Sequence, residues 1–195
     1  MAKVMLSQKE LELVSDAEWI LLKNRIMEKV SILFGSLADE WKSNFKLKQS
    51  VIDSSLFKHP KISKGEQYQQ LPWMVLDYPR EFTGHNVLLV RCFFWWGKYF
   101  ALILLVEGLY QKNFGQQFQE GLLNKGWHFY EGGDKWDNSF SKETFTDNWS
   151  QTDIQDKSFL KWIYLIPIKN FNSVEEEMKS AYEQILLCLS PKPME

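Results

Sequence analysis

Arg91 is the residue whose setting first calls for chemistry. It stands inside VLLVRCFFWW, residues 87–96, a run that is apolar at every other position. Burying a guanidinium there is costly unless it meets an anion or reaches the rim. Asp77 and Glu107, at the ends of the neighbouring apolar runs, are the available partners. The structural reading is a buried ion pair or a snorkelling side chain. The functional alternative is an arginine that holds an anion in a pocket.

A second group follows Gly132-Gly133. Asp134 and Asp137 flank Trp136. Paired carboxylates beside an aromatic ring suit acid–base chemistry on a sugar-like substrate. The same residues also make an ordinary solvated turn, which is the simpler reading. His128 lies just upstream. Arg91, His128, Asp134, Trp136 and Asp137 therefore form the candidate ligand-binding set, and none of them reads as catalytic.

Other sites are absent from the sequence. Gly121 and Gly126 have P-loop spacing, but Trp127 follows instead of Lys. There is no GxGxxG, GxSxG or HExxH. His59, His85 and His128 do not share metal-ligand spacing. Cys92 and Cys188 make no CxxC and read as two buried apolar thiols. No metal and no cofactor is expected.

The formal net charge is −2 and the pI about 6.0, so no global field draws nucleic acid or an anionic membrane. The charge is unevenly placed. Lys42 to Lys64 carries six lysines against Asp53 alone. This stretch reads as a solvated connection or as a basic partner-binding loop. Glu131 to Asp156 carries seven acids against Lys135 and Lys142, interleaved with Trp136, Phe140, Phe145 and Trp149. A single-strand platform needs aromatics in a basic groove. Here the aromatic segment is the acidic one, which argues against nucleic acid.

The elements that must position these groups follow from periodicity. Val87 to Val106 is the most apolar stretch, broken once at Gly97-Lys98. Its length would span a bilayer, but Arg91, Gly97 and Lys98 lie inside it, so no membrane span is expected. It predicts a β-hairpin with both faces apolar. A two-residue turn at Gly97-Lys98 would oppose Trp96 to Tyr99, Phe94 to Ala101 and Cys92 to Ile103. A longer turn would shift this register, and a one-residue slip would swap one strand's faces.

Ser7–Glu10 is a capping box, and Ser15–Glu18 a second, with Val14 and Trp19 as its staple. From there Trp19, Leu22, Ile26, Val30, Leu33, Leu37, Trp41 and Phe45 recur at helical steps, with Gly35 a weak point. The pattern fails from Lys46 to Gln67, where Val51-Ile52 and Leu56-Phe57 hint at a small packed insert. Residues 70–79 predict a strand bracketed by Pro72 and Pro79, with a turn at 80–86. A helix is predicted over 109–124, a short strand over 127–131 and another over 158–168. Within the acidic segment a short helix is expected near 142–149. Asn172-Ser173 should cap a last helix with Val174, Met178, Ala181, Tyr182, Ile185 and Leu189 on its apolar face.

Residues 1–195 thus predict one α+β domain: an antiparallel sheet of about 4–6 strands around the 87–106 hairpin, covered by a long N-terminal and a C-terminal helix. The missing signal peptide and the cysteine usage point to the cytoplasm. The best functional expectation is a non-enzymatic interaction protein that forms a homodimer, because a hairpin apolar on both faces needs cover on each. The alternative is a small-ligand binder or hydrolase with an aromatic-lined pocket.

Overall fold

The computed structural model describes residues 4–46 and 59–189. The expected insert at Val51-Ile52 and Leu56-Phe57 lies outside the described residues.

The fold is α+β, with helices on an antiparallel sheet. The sheet has seven strands rather than four to six: β1 (Lys61–Tyr68), β2 (Leu71–Thr83), β3 (Asn86–Trp95), β4 (Tyr99–Glu107), β5 (Trp127–Tyr130), β6 (Phe145–Thr146) and β7 (Phe159–Pro167). Their order is β1-β2-β3-β4-β7-β5-β6. The first four form successive hairpins. β7 then inserts between β4 and β5, so the chain from 131 to 158 must travel across the sheet before it returns.

The β3–β4 hairpin is central, and both its faces are buried. Its register differs from expectation. Trp95 opposes Tyr99, Phe94 opposes Phe100 and Cys92 opposes Leu102. The turn holds three residues, Trp96-Gly97-Lys98, closed by the Lys98 amide on the Trp95 carbonyl at 3.0 Å, with Gly97 at φ 71°. Three-residue hairpins place such a left-handed residue in the turn, and glycine adopts it without strain. The extra residue swaps the faces of one strand. Phe94 and Cys92 join Phe100 and Leu102 on one face; Trp95, Phe93 and Arg91 join Tyr99, Ala101 and Ile103 on the other.

β2 is longer than predicted. It continues through Pro79 to Thr83, because a one-residue bulge at Tyr78-Pro79 takes the proline out of the ladder. β1 was not expected at all. Its sequence, KISKGEQY, is polar because it is an edge strand exposed along most of its length. The acidic segment contains no helix near 142–149; β6 is its one regular element there.

Among the described residues four α-helices accompany the sheet: α1 (Gln8–Ser15), α2 (Ala17–Lys46), α3 (Leu109–Leu122) and α4 (Val174–Cys188). The Ser7–Glu10 capping box is present. At the second helix start the cap is Asp16, one residue later than expected, with its carboxylate accepting from Glu18 and Trp19 amides at 3.0 and 3.2 Å. Val14 and Trp19 are exposed, so no staple forms. The buried stripe of α2 is Met27, Val30, Phe34, Leu37, Ala38 and Trp41. It begins about two turns later than the predicted stripe, and Ile26 and Leu33 are only partly buried, Leu33 packing on the edge of the core. Gly35 does not interrupt the helix.

α2, α3 and α4 cover one face of the sheet in a continuous core with Met74, Leu76, Cys92, Phe100, Leu102 and Trp162. Each such side chain contributes about 1.5–3 kcal/mol by leaving water. Trp41 stacks on Tyr182 with centroids 3.9 Å apart, joining α2 to α4. The predicted face of α4, from Val174 to Leu189, is buried throughout.

Candidate functional site

Among the described residues no helix lies on the other face of the sheet. Its apolar centre is Val75, Phe93, Trp95, Ala101, Ile103 and Ile163. The segment between β5 and β7 covers part of this face as a strap. Arg91 lies beneath it, and Asp77, the cross-strand neighbour of Arg91, is its partner. The guanidinium donates from Nε to Asp77 Oδ1 at 2.7 Å and from Nη2 to Oδ2 at 2.9 Å. This bidentate fork is the strong form of the pair. Glu107, the other expected partner, pairs with Lys135 instead.

Two tyrosines hold the strap to the sheet. Tyr68 donates to Asp137 Oδ1 and accepts from the Asn138 amide, both at 2.8 Å. Tyr99 donates to the Asn138 carbonyl at 3.0 Å and accepts from the Phe140 amide at 2.8 Å. Burial and the nearby Asp137 carboxylate push the Tyr68 hydroxyl up to about 12. Burial likewise pushes Tyr99 well above its ordinary value. Both hydroxyls stay protonated and can keep these donor roles.

Lys161 is the third anchor. It sits on β7, is fully buried, and donates to the backbone carbonyls of Lys135 and Asp137. Its ammonium lies 4.5 Å from the centre of the Tyr130 ring, a cation–π contact. Burial pulls it down to about 8, a fall that Asp137 partly offsets.

The five sequence-derived candidates are placed as follows. Arg91 and Asp137 belong to one network through Asn138, whose side-chain oxygen accepts from Arg91 Nη1 at 3.4 Å. Asp137 Oδ1 also accepts from the Ser139 amide and hydroxyl at 2.9 and 2.6 Å. Desolvation raises its carboxyl, but these bonds outweigh it and hold the group below its ordinary value. Asp134 is exposed and closes a turn by accepting from the Trp136 amide at 2.8 Å. Trp136 is 44% exposed and packs at the far end of the strap against Phe82, centroids 6.0 Å apart. His128 stands two strands away from Arg91's hairpin partner, contacts Asp147 and packs on Phe140. Asp134, Trp136 and Asp137 thus lie on the strap, Arg91 meets it at Asn138 and His128 at Phe140 and Asp147, and the two carboxylates hold different parts of the backbone.

Lys161, Tyr68 and Tyr99 are missing from the sequence-derived set. Lys161 had a readable signal: it is the one charge within SFLKWIYLIPI. The two tyrosines had none, because their role depends on where the strap crosses.

Beyond the strap, β1, β2 and β3 leave a cleft of about 230 Å³, lined by Lys61, Ser63, Tyr68, Trp73, Asp77, Arg91 and Asn138 among others. A separate surface lies at the N-terminus, where every residue from 4 to 22 is exposed. Leu6, Leu11, Trp19, Ile20, Leu21 and Leu22 are between 42% and 53% exposed there. Among the described residues no cluster of three or more His, Cys, Asp or Glu is placed to hold a metal, and no helix is long and apolar enough to cross a membrane. No protein-family model, curated protein or solved structure matches the chain.

Proposed function

We propose that the chain is a non-enzymatic interaction domain that self-associates through its N-terminal arm, residues 4–22. The observation that carries this reading is the exposure of the whole arm. Four consecutive apolar residues, Trp19 to Leu22, point to all sides of α2 and none is buried. This much apolar surface left in solvent marks a contact site.

The charge pattern of the arm favours a second copy as its partner. The arm is acidic, with Glu10, Glu12, Asp16 and Glu18 against Lys9, and at its base stand Arg25 and Lys29, with Glu28 between them and Lys23 already paired with Glu66. Two chains related by a two-fold axis, with their arms antiparallel, set the acidic arm of each against Arg25 and Lys29 at the base of the other arm. A two-fold contact needs this kind of self-complementarity. The strap already covers much of the hairpin's second face, so the reading rests on the arm and not on the hairpin. The two free, buried cysteines support a reducing compartment such as the cytoplasm.

Sedimentation velocity at micromolar concentration tests the reading. The expected result is a dimer that Leu21→Glu/Leu22→Glu converts to a monomer with an unchanged circular dichroism spectrum. A wild-type protein that sediments as a monomer throughout overturns it.

A further inference from the structure

We propose that the cleft on β1–β3 binds a small planar carboxylate. The strand registers build its floor. Lys61 pairs with Asp77, and Asp77 with Arg91, so three charges stand in a row across three strands. The row sums to one positive charge. One row further along, Ser63 opposes Val75, which opposes Phe93.

The hydrogen-bond inventory identifies the ligand's chemistry. Both Asp77 oxygens are engaged by the guanidinium. Arg91 has five N–H groups and uses three, two on Asp77 and one on Asn138. Asp77, the one anion of the lining, is taken up by the guanidinium, and donors remain among the other polar groups lining the cleft: two guanidinium N–H, the Asn138 side-chain amide, the Ser63 hydroxyl and the Lys61 ammonium. Such a site takes an acceptor-rich anion, and a carboxylate matches the guanidinium edge.

The walls identify its shape. Tyr68 meets Phe93 edge-on at 5.5 Å and Trp95 at 5.1 Å. The Trp73 indole lies across Gly65, where a Cβ would come within 2.7 Å of Nε1. Glycine at that point lets the ring lie flat on β1 as a wall. A volume of about 230 Å³ is below the roughly 300–1,000 Å³ of drug-sized sites, so the ligand is about one ring in size. Asp77 orders Arg91 before the ligand arrives, which lowers the entropy cost of binding.

The experiment uses the intact chain and benzoate as probe, with calorimetry and saturation-transfer NMR. Benzoate should bind saturably, and its ring protons should receive saturation. Benzamide, which lacks the charge, should bind about tenfold more weakly, a difference near 1.4 kcal/mol. Lys61→Ala and Trp73→Leu should each weaken benzoate several-fold; Lys61 is exposed on an edge strand, so its variant keeps the fold. Inorganic phosphate should not displace benzoate. The proposal is overturned by no benzoate binding up to about 10 mM, by equal binding of benzamide, by displacement with phosphate, or by unchanged affinity in both variants. None of these outcomes depends on the arm.

Discussion

A charged side chain inside an apolar sheet must be explained by its partners, and two such residues govern the strap-covered face. Arg91 and Asp77 are mutually satisfied, with 15% and 12% of their side chains exposed. Removing one member leaves the other desolvated and alone. Asp77→Asn keeps the shape and removes the charge, so we expect a loss of about 3 kcal/mol in chemical denaturation. A loss below about 1 kcal/mol would mean that solvent reaches the guanidinium and replaces the carboxylate. Lys161 makes a prediction of the opposite sign. Its ammonium falls from 10.5 to about 8 on folding because it is buried. Below pH 8 both states hold the proton, and this residue adds no pH dependence. Between about 8 and 10.5 the unfolded chain holds a proton that the folded chain has released, so stability attributable to Lys161 rises with pH. The rise is bounded by about 3 kcal/mol. The stability gap between wild type and Lys161→Met should move in favour of the wild type from pH 8 to pH 10. Tyr68 and Tyr99 are common to both proteins, so their ionisation cancels in the difference. A flat gap would show that Lys161 keeps its proton despite burial.

The strap is the element whose position the tyrosines decide. Tyr68→Phe removes the acceptor of the Asn138 amide, and Tyr99→Phe that of the Phe140 amide. An amide left without a partner costs about 1–3 kcal/mol. Because the anchors are local, the loss should appear mainly as local opening. Hydrogen exchange at Asn138 and Phe140 should accelerate at least about tenfold in these variants, with β3 and β4 unchanged; uniform acceleration across the sheet would show instead that the strap and sheet open together. The elements that the sequence made legible are those with strong apolar periodicity: the hairpin, α3, β7 and α4. That Arg91 needs a partner was legible for the same reason, but the sequence left Asp77 and Glu107 open, and only the β2–β3 register decides for Asp77. β1 was hidden because an edge strand exposed to water has no apolar alternation to read. The extension of β2 was hidden because proline normally ends a ladder, and only the bulge lets it stay. The hairpin register depended on one residue of turn length, which apolar content does not encode. The cleft was illegible for a further reason: Lys61, Asp77 and Arg91 become neighbours only through two registers, one of which belongs to that hidden strand.

At the scale of the whole molecule, α2 is one helix with two environments. From Met27 onward it is part of the core, while its first turns and all of α1 lie in solvent. Helical propensity alone holds short helices only marginally in water, so the arm gains most of its order from whatever it packs against. A contact made by the arm is transmitted into the core along a continuous backbone, because Leu22 and Met27 are little more than one turn apart. Association through the arm is therefore linked to global unfolding, and linkage makes the melting temperature depend on concentration. Raising the wild-type protein from about 1 to 100 µM should add up to about 2.7 kcal/mol, which is several degrees for a chain of this size. In Leu21→Glu/Leu22→Glu the melting temperature should be the same at both concentrations and should not exceed that of the dilute wild type, since neither residue contributes to the core. Calorimetry at the two concentrations decides the matter. A wild-type transition that does not move would mean that the arm is ordered by the body alone, and that its apolar surface does not join two copies of this chain.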